Sequence, residues 1–377
     1  MNEPKLRFPE FKDIWNNHKI EDMFDRVGTP VDLDDTLTYR EIGIRSHGKG
    51  IFHKDETTAS EIGDKRIFWV EPDCFVVNIV FAWERAVAKT TEAENGMIAS
   101  HRFPMYKPKK DVVDLDYITE YFITKRGQNI LILASPGGAG RNKTLGQKEF
   151  AKSVVKLPSL PEQQKIAEFL STIDTVIEKQ KETVSAWEER KKGVMQKLFG
   201  QEVRFKADDG SDFPEWEEKK LGEILAVHHG KDYKNLKKGN VPVYGTGGII
   251  TYVEDFLCDW ACVCIGRKGT IDKPLYIDTP FWCVDTLFFT KAKDKHIPKF
   301  QFYLFQMIPW KKYNEASGVP SLNASTIQNI NVTIPCPEEQ QKIADCLSSL
   351  DEVIDKQKAT LAAWEELKKG LLQQMFV

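Results

Sequence analysis

Two stretches of this chain place apolar residues in alternating steps of four and three. Ile166, Leu170, Ile173, Ile177, Gln180, Val184, Trp187, Lys191, Val194 and Leu198 mark the steps in the first stretch. Ile343, Leu347, Leu350, Ile354, Gln357, Leu361, Trp364, Lys368, Leu371 and Met375 mark them in the second. A mean period of about 3.5 residues held this long is the seam of a coiled coil. Both copies interrupt the apolar seam at the same places, with Gln180 and Lys191 in one and Gln357 and Lys368 in the other. Pro158, Pro161, Pro335 and Pro337 stand at the openings, where a first helical turn tolerates proline. Glu162, Glu338 and Glu339 suit the positive end of a helix dipole, and Lys191, Lys192, Lys368 and Lys369 lie toward the negative end. Each stretch is therefore predicted to form one uninterrupted helix of about 38 residues, or ~57 Å at 1.5 Å per residue.

The two helices are copies of one repeat. Residues 157–200 and 334–377 align without a gap, with 25 of 44 positions identical. Paired antiparallel, they give the chain a pseudo-two-fold axis, with Gln180 and Gln357 near it as a buried polar pair that fixes register. An amphipathic helix lying on its own globular domain is the other use of such a face. The long, narrow stripe favours the coiled coil.

The segments ahead of each copy, residues 1–156 and 201–333, barely resemble one another. One faint echo sets Phe8-Pro9-Glu10-Phe11 against Phe213-Pro214-Glu215-Trp216. Aromatic and β-branched runs broken by turn residues predict short strands within 66–83 and 256–289. Short helices are expected at 116–126 and 298–313. The fold class is α+β: two globular mixed α/β domains separated by two long helices that form an antiparallel coiled coil, pseudo-two-fold symmetric. The domain boundaries are 1–156, 157–200, 201–333 and 334–377.

Composition narrows the function. The net charge of −3, from 53 basic and 56 acidic residues, excludes a pervasively basic coat but leaves room for local basic loops. No apolar run is long enough to span a membrane and the N-terminus shows no signal-peptide core, so a cytoplasmic protein is expected. The seven cysteines, Cys74, Cys258, Cys262, Cys264, Cys283, Cys336 and Cys346, form no CxxC pair. They read as core thiols in a reducing compartment rather than as zinc ligands. No metal site is expected.

Residues 129–144 look like an apolar strand entering a Gly-rich loop that misses a P-loop by one position, with Asn142 where a second glycine is required. With no Walker-B-like strand downstream, phosphate or base contact is the better use of that loop. Similar loops recur. In the first segment they comprise Arg45, Ser46, His47 and Lys49; Lys65 and Arg66; Ser100, His101 and Arg102; and Arg141, Asn142, Lys143 and Thr144. In the second they comprise Lys231, Tyr233 and Lys234; Tyr244 and Thr246; Arg267 and Lys268; and Ser317, Ser321 and Asn323. Glycine lets the backbone approach closely, and Arg, Lys, Asn and Ser supply the donors that read bases and phosphates. There is no HExxH, no GxSxG, no nuclease acid set and no amino-methyltransferase loop. His47, His101, His228 and His229 lack a nucleophile nearby in sequence, which favours surface or structural roles over catalysis.

These motifs resemble the specificity subunit of type I DNA restriction–modification systems over essentially the whole chain. The resemblance rests on PEQQKIA and EEQQKIA with KQK, WEE and KKG in both helices, and on QEVRFKADDGSDFPEWEEKKLGEI at 201–224. IGRKGTIDKPLYI with FWCVDTLFF, and IGIRSHGKGIF with SHRFP and SPGGAGRNKTLGQ, add to it. It implies a non-catalytic subunit whose two target-recognition domains each read half of a split, asymmetric double-stranded DNA site. It implies two partner methyltransferase subunits that methylate adenine, and restriction subunits that translocate and cleave. S-adenosylmethionine, ATP and Mg would be bound by those partners and none by this chain. The competing expectation is a coiled-coil adaptor joining two protein ligands without reading DNA.

Overall fold

The computed structural model describes residues 4–137 and 143–376. The chain divides into two units, one comprising residues up to Lys181 with those from Thr360 onward, the other Glu182–Ala359. The long helices run over Leu160–Phe199 and Pro337–Met375, 40 and 39 residues, and each contributes to both units. No helix among the described residues is long and apolar enough to cross a membrane.

In the first unit the strands are β1 (Asn16–Lys19), β2 (Phe24–Val27), β3 (Thr38–Ile44), β4 (Ile51–Thr58), β5 (Ile67–Trp69), β6 (Phe75–Val77), β7 (Val87–Lys89), β8 (Ile98–Ser100), β9 (Met105–Pro108) and β10 (Val154–Leu157). One sheet has the order β2-β9-β6-β7, all antiparallel. The other has the order β4-β3-β8-β5, with β3 parallel to β8. β1 and β10 form a separate antiparallel pair.

The second unit holds β11 (Glu217–Lys220), β12 (Leu225–His229), β13 (Lys238–Gly245), β14 (Gly248–Val253), β15 (Cys262–Gly266), β16 (Leu275–Ile277), β17 (Trp282–Cys283), β18 (Leu287–Ala292) and β19 (Asn331–Ile334). Its sheets have the orders β12-β18-β15-β16, all antiparallel, and β14-β13-β17, with β13 parallel to β17. β11 and β19 pair as β1 and β10 do. The two globular segments, nearly unrelated in sequence, thus share one topology, except that the second has no counterpart of β5. Side-chain identity drifts freely where alternation and burial are kept, so topology outlasts sequence.

The long helices run antiparallel in each unit. Lys368 Nζ meets Asp174 at 2.7 Å in the first, and Lys191 Nζ meets Asp351 at 2.6 Å in the second. These are equivalent positions of the repeat, so the lysines that interrupted the apolar pattern pin the register. The seam itself does more than was expected of it. Ile166, Leu170, Ile173 and Ile177 join the same core as Trp15, Tyr117, Phe122 and Phe150 of the first globular segment. Ile343 and Leu347 likewise share a core with Phe300, Tyr303 and Trp310. Trp187, Leu350, Leu361 and Trp364 are only half-buried. The stripe therefore packs both on the other helix and on its own domain, and the two uses weighed from sequence coexist.

The helix openings are clamped identically. Glu162 is fully buried and takes a bidentate contact from Arg7 at 2.7 and 2.8 Å; Glu339, also fully buried, takes one from Arg204 at 3.2 and 2.9 Å. The neighbouring Gln163 accepts from the Asp114 N–H and donates to the carbonyls of Val112 and Pro158. Gln340 accepts from the Ile297 N–H and donates to the Pro335 carbonyl. The repeated Glu-Gln pair thus ties each long helix to its domain.

One local expectation needs correction. The apolar run at 129–135 is not a strand: Lys125–Leu133 is a helix, capped by the Thr124 hydroxyl, which accepts from the Gly127 N–H. A short apolar run does not distinguish strand from helix by period alone, and without a leading strand the P-loop reading loses its scaffold. The run 66–83 holds short strands as expected, β5 and β6, and ends in a 3-10 turn at residues 82–84. The short helices expected at 116–126 and 298–313 lie at Leu115–Ile123 and Pro298–Met307, the latter followed by a 3-10 turn at Trp310–Tyr313.

Candidate nucleic-acid interface

In the first unit the strand directions gather the predicted loops. β3 and β8 run parallel, while β4 and β5 run antiparallel to them. The end of β3, the start of β4, the start of β5 and the end of β8 therefore share one end of the sheet. That end carries Arg45, Ser46, His47 and Lys49 between β3 and β4, Lys65 and Arg66 ahead of β5, and Ser100, His101 and Arg102 at the end of β8. The His101 N–H donates to the Arg66 carbonyl at 3.0 Å, joining two of these loops.

A turn that the sequence did not single out, Ile79–Arg85, ties the rest together. The N–H groups of His47 and Gly48 donate to the carbonyls of Glu84 and Arg85 at 2.7 and 2.9 Å, and the Ser46 hydroxyl donates to the Glu84 carboxylate at 2.8 Å. The Ile79 N–H donates to the Arg102 carbonyl, and the Leu145 N–H to the Ile79 carbonyl. Lys143 stands over the Trp83 ring at 5.7 Å, and Thr144 beside it is exposed. His47 (φ 64°) and Arg85 (φ 62°) both adopt left-handed backbone, a strained conformation that concentrates at functional sites. Arg45 lies over Phe52 with its guanidinium 4.7 Å from the ring, a cation–π contact that restricts the side chain. Arg141 and Asn142 lie outside the described residues.

The second unit repeats the plan around Cys283–Thr286. The Lys231 N–H donates to the Cys283 carbonyl, the Val284 N–H to the Tyr244 carbonyl, and the N–H groups of Arg267 and Lys268 to the Thr286 carbonyl. The Gly269 N–H donates to the Pro320 carbonyl and the Leu322 N–H to the Arg267 carbonyl, which brings in Ser317–Asn323. Gly266 is required at the root of the Arg267 loop, because a Cβ there would meet the Thr270 carbonyl oxygen at 2.0 Å.

The family profile for the type I restriction modification DNA specificity domain matches residues 75–185 and 214–364, one match per repeat. The chain belongs to the type I DNA specificity family. It is 27% identical over 263 residues to the MjaVIII specificity subunit of Methanocaldococcus jannaschii, covering 60% of this chain and 62% of that one. It is 20% identical to the putative MjaX specificity subunit of the same organism, over 98% and 95% of the two chains. The type I S subunit of M. genitalium superposes with a TM-score of 0.63 at 18% identity, over 100% and 99% of the chains, a likeness of fold.

Within this specificity-family fold, several predicted residues also have structural work. Asn323 caps the helix Ala324–Gln328 through its carboxamide oxygen, and Arg267 donates to the Asp285 carbonyl at 3.1 Å. Tyr233 and Tyr244 are half-buried, and Tyr244 packs edge-on against Phe281 at 5.9 Å. Lys49, Lys65, Arg66, His101, Arg102, Lys231, Lys234, Lys268 and Ser317 are exposed; Thr246 and Ser321 are half-exposed. Of the histidines, His228 lies against the Phe289 ring at 5.1 Å, and burial lowers its pKa below the usual imidazole value, keeping it neutral and structural. The turns at Ile79–Arg85 and Cys283–Thr286 escaped the sequence reading because each continues an apolar strand run. Cys258, Cys262, Cys264 and Cys283 are buried in one core cluster, and burial pushes the Cys283 thiol up to about 12.

Proposed function

We propose that this chain is the non-catalytic DNA-reading subunit of a type I restriction–modification assembly in the cytoplasm, with each unit reading one half of a bipartite asymmetric site. The observation that carries the reading is the convergence, in both units, of donor-rich Gly-containing loops onto a single turn. Backbone hydrogen bonds between the loops hold them rigid, and preorganised donors discriminate base edges better than mobile ones. Methyltransferase subunits hold S-adenosylmethionine and act on adenine; restriction subunits use ATP and Mg. The long helices set the gap between the half-sites and offer the partners a face.

Charge supports a division of labour. Residues 1–156 carry 24 basic and 24 acidic side chains, and residues 201–333 carry 17 and 17. Phosphate affinity grows with excess positive charge, so the isolated chain binds weakly and its partners supply most of the backbone affinity. Mapping methylated adenines in the host genome with and without this gene tests the proposal. The expected result is a split motif that disappears with the gene. Unchanged methylation, together with no sequence-dependent gel shift by the purified assembly, would leave the adaptor reading standing.

A further inference from the structure

The hairpin β13–β14 of the second unit is unlike its counterpart in the first. Its strands are joined through only Thr246 and Gly247, with Gly245 opposite Gly248, and Gly248 has φ 111°. Immediately beyond the turn, Ile249 and Ile250 are 50% and 53% exposed, and Tyr252 is 49% exposed. Tyr244 pairs with Ile249 and Val243 with Thr251, so Ile250 is the extra residue of a β-bulge; its side chain lies over Gly245, and the ribbon tip is apolar and solvated. An exposed apolar edge strand is an aggregation hazard that a soluble protein keeps only for a use. The corresponding strand β4 also leaves its turn with apolar residues, Ile51 and Phe52, but both are half-buried, Phe52 beneath the Arg45 guanidinium, and the next four, His53, Lys54, Asp55 and Glu56, are polar and exposed.

The surroundings of the tip identify what covers it. The Thr246 hydroxyl lies 3.6 Å from the position a Cβ on Gly269 would take, so the tip rests on the Arg267–Gly269 loop. The Tyr244 carbonyl accepts from Val284 of the turn at which the recognition loops meet. Exposed Lys231 and Lys268 belong to those loops, while the hairpin's acids, Glu254 and Asp255, follow the basal pair Lys238–Val253 at the opposite end. A narrow apolar ribbon with basic loops beside it fits a polyanionic groove with apolar groups on its floor. The DNA major groove admits a two-stranded ribbon, and its apolar group is the thymine C5-methyl.

We propose that the β13–β14 ribbon enters the major groove and that Ile249 and Ile250 read thymine methyls in the half-site of the second unit. The first unit, with Arg45, Ser46 and His47 at the matching turn, reads its half-site by hydrogen bonds. The two domains differ in the chemistry of readout as well as in sequence. This rests on the DNA-reading function proposed above and specifies it further.

The test uses the assembly purified from its host through a tag on this chain. It is offered randomised duplexes synthesised with thymine or with deoxyuridine, which lacks only the methyl. The wild type should enrich a split motif and bind the thymine form of one half about fourfold more tightly per methyl contacted, the equivalent of about 0.8 kcal/mol for one buried methyl-sized group. The Ile249→Ser/Ile250→Ser variant should lose that preference and keep the other half-site, and Ile249→Val/Ile250→Val should retain it. Both positions are exposed, and unchanged thermal melting would confirm folding. A wild type that enriches a motif but binds both forms equally overturns the ribbon proposal while leaving DNA reading intact. So does a serine variant that keeps the preference. No enrichment by the wild type at all overturns DNA reading, and this proposal with it.

Discussion

A carboxylate buried at a helix opening needs a partner, and Glu339 has two: the Arg204 guanidinium and the Trp216 indole N–H at 3.2 Å. Arg204→Ala strands that charge in the core. Removing one partner of a buried ion pair costs about 3–5 kcal/mol, and urea unfolding should record a loss of that order. Arg204→Lys keeps the charge but not the fork, so its loss should be smaller. Sequence placed Glu162 and Glu339 correctly at the positive ends of helices but read them as dipole partners. Their arginines lie 155 and 135 residues away along the chain, a separation that no local pattern reveals. The same holds for Gln163 and Gln340, whose carboxamides tie together backbone groups from distant segments.

Among the elements, the long helices were the most legible, because a heptad repeated over many turns leaves only one periodic interpretation. Their lysine interruptions acquired meaning only with a partner in place. Lys368 is half-buried between Asp174 and Glu120. Burial pulls its pKa down, but the two carboxylates more than offset this and the ammonium is held charged. Burial holds Glu120 above the usual carboxylate value, and Lys368 offsets only part of that. A carboxyl with a raised folded-state pKa favours the folded state most below its ordinary value near 4.5, and that contribution is lost as pH rises through the raised value. Glu120→Gln does not titrate. Its unfolding free energy relative to the wild type should therefore increase as pH climbs through that window, as read by urea titrations from acid to neutral pH. A constant difference would show that Glu120 titrates as an exposed carboxyl. The helix Lys125–Leu133 was misread for the opposite reason: nine residues are too few for period to separate helix from strand.

At the scale of the whole molecule, two units of one topology with different loop chemistry predict independent reading. Exchanging residues 1–156 for those of another family member should change one half of the methylated motif and leave the other intact, as scored by mapping methylated adenines. Inserting four residues in the first long helix alone introduces a stutter. It should alter the number of base pairs tolerated between the half-sites, and an unchanged gap would show that the helices do not set it. The net charge of −3 belongs to the second repeat, which carries 5 basic and 8 acidic residues between 334 and 377, so both globular segments are neutral in sum. A steep dependence of binding on salt should then follow the partner subunits rather than this chain.

The sequence by itself determined the repeat, the length and phase of both long helices, and the family, because each is written in local periodicity or in direct identity between copies. It also named most of the loops that carry donors, since glycine beside Arg, Lys, Ser and Asn is a local signal. Only the tertiary structure decided that those loops meet, that the Ile79–Arg85 and Cys283–Thr286 turns join them, and that two dissimilar segments share one topology. Those facts depend on strand order and direction, set by contacts between residues far apart in the chain. Many different side chains satisfy the same burial pattern, so they leave no distinctive mark on any one stretch of sequence.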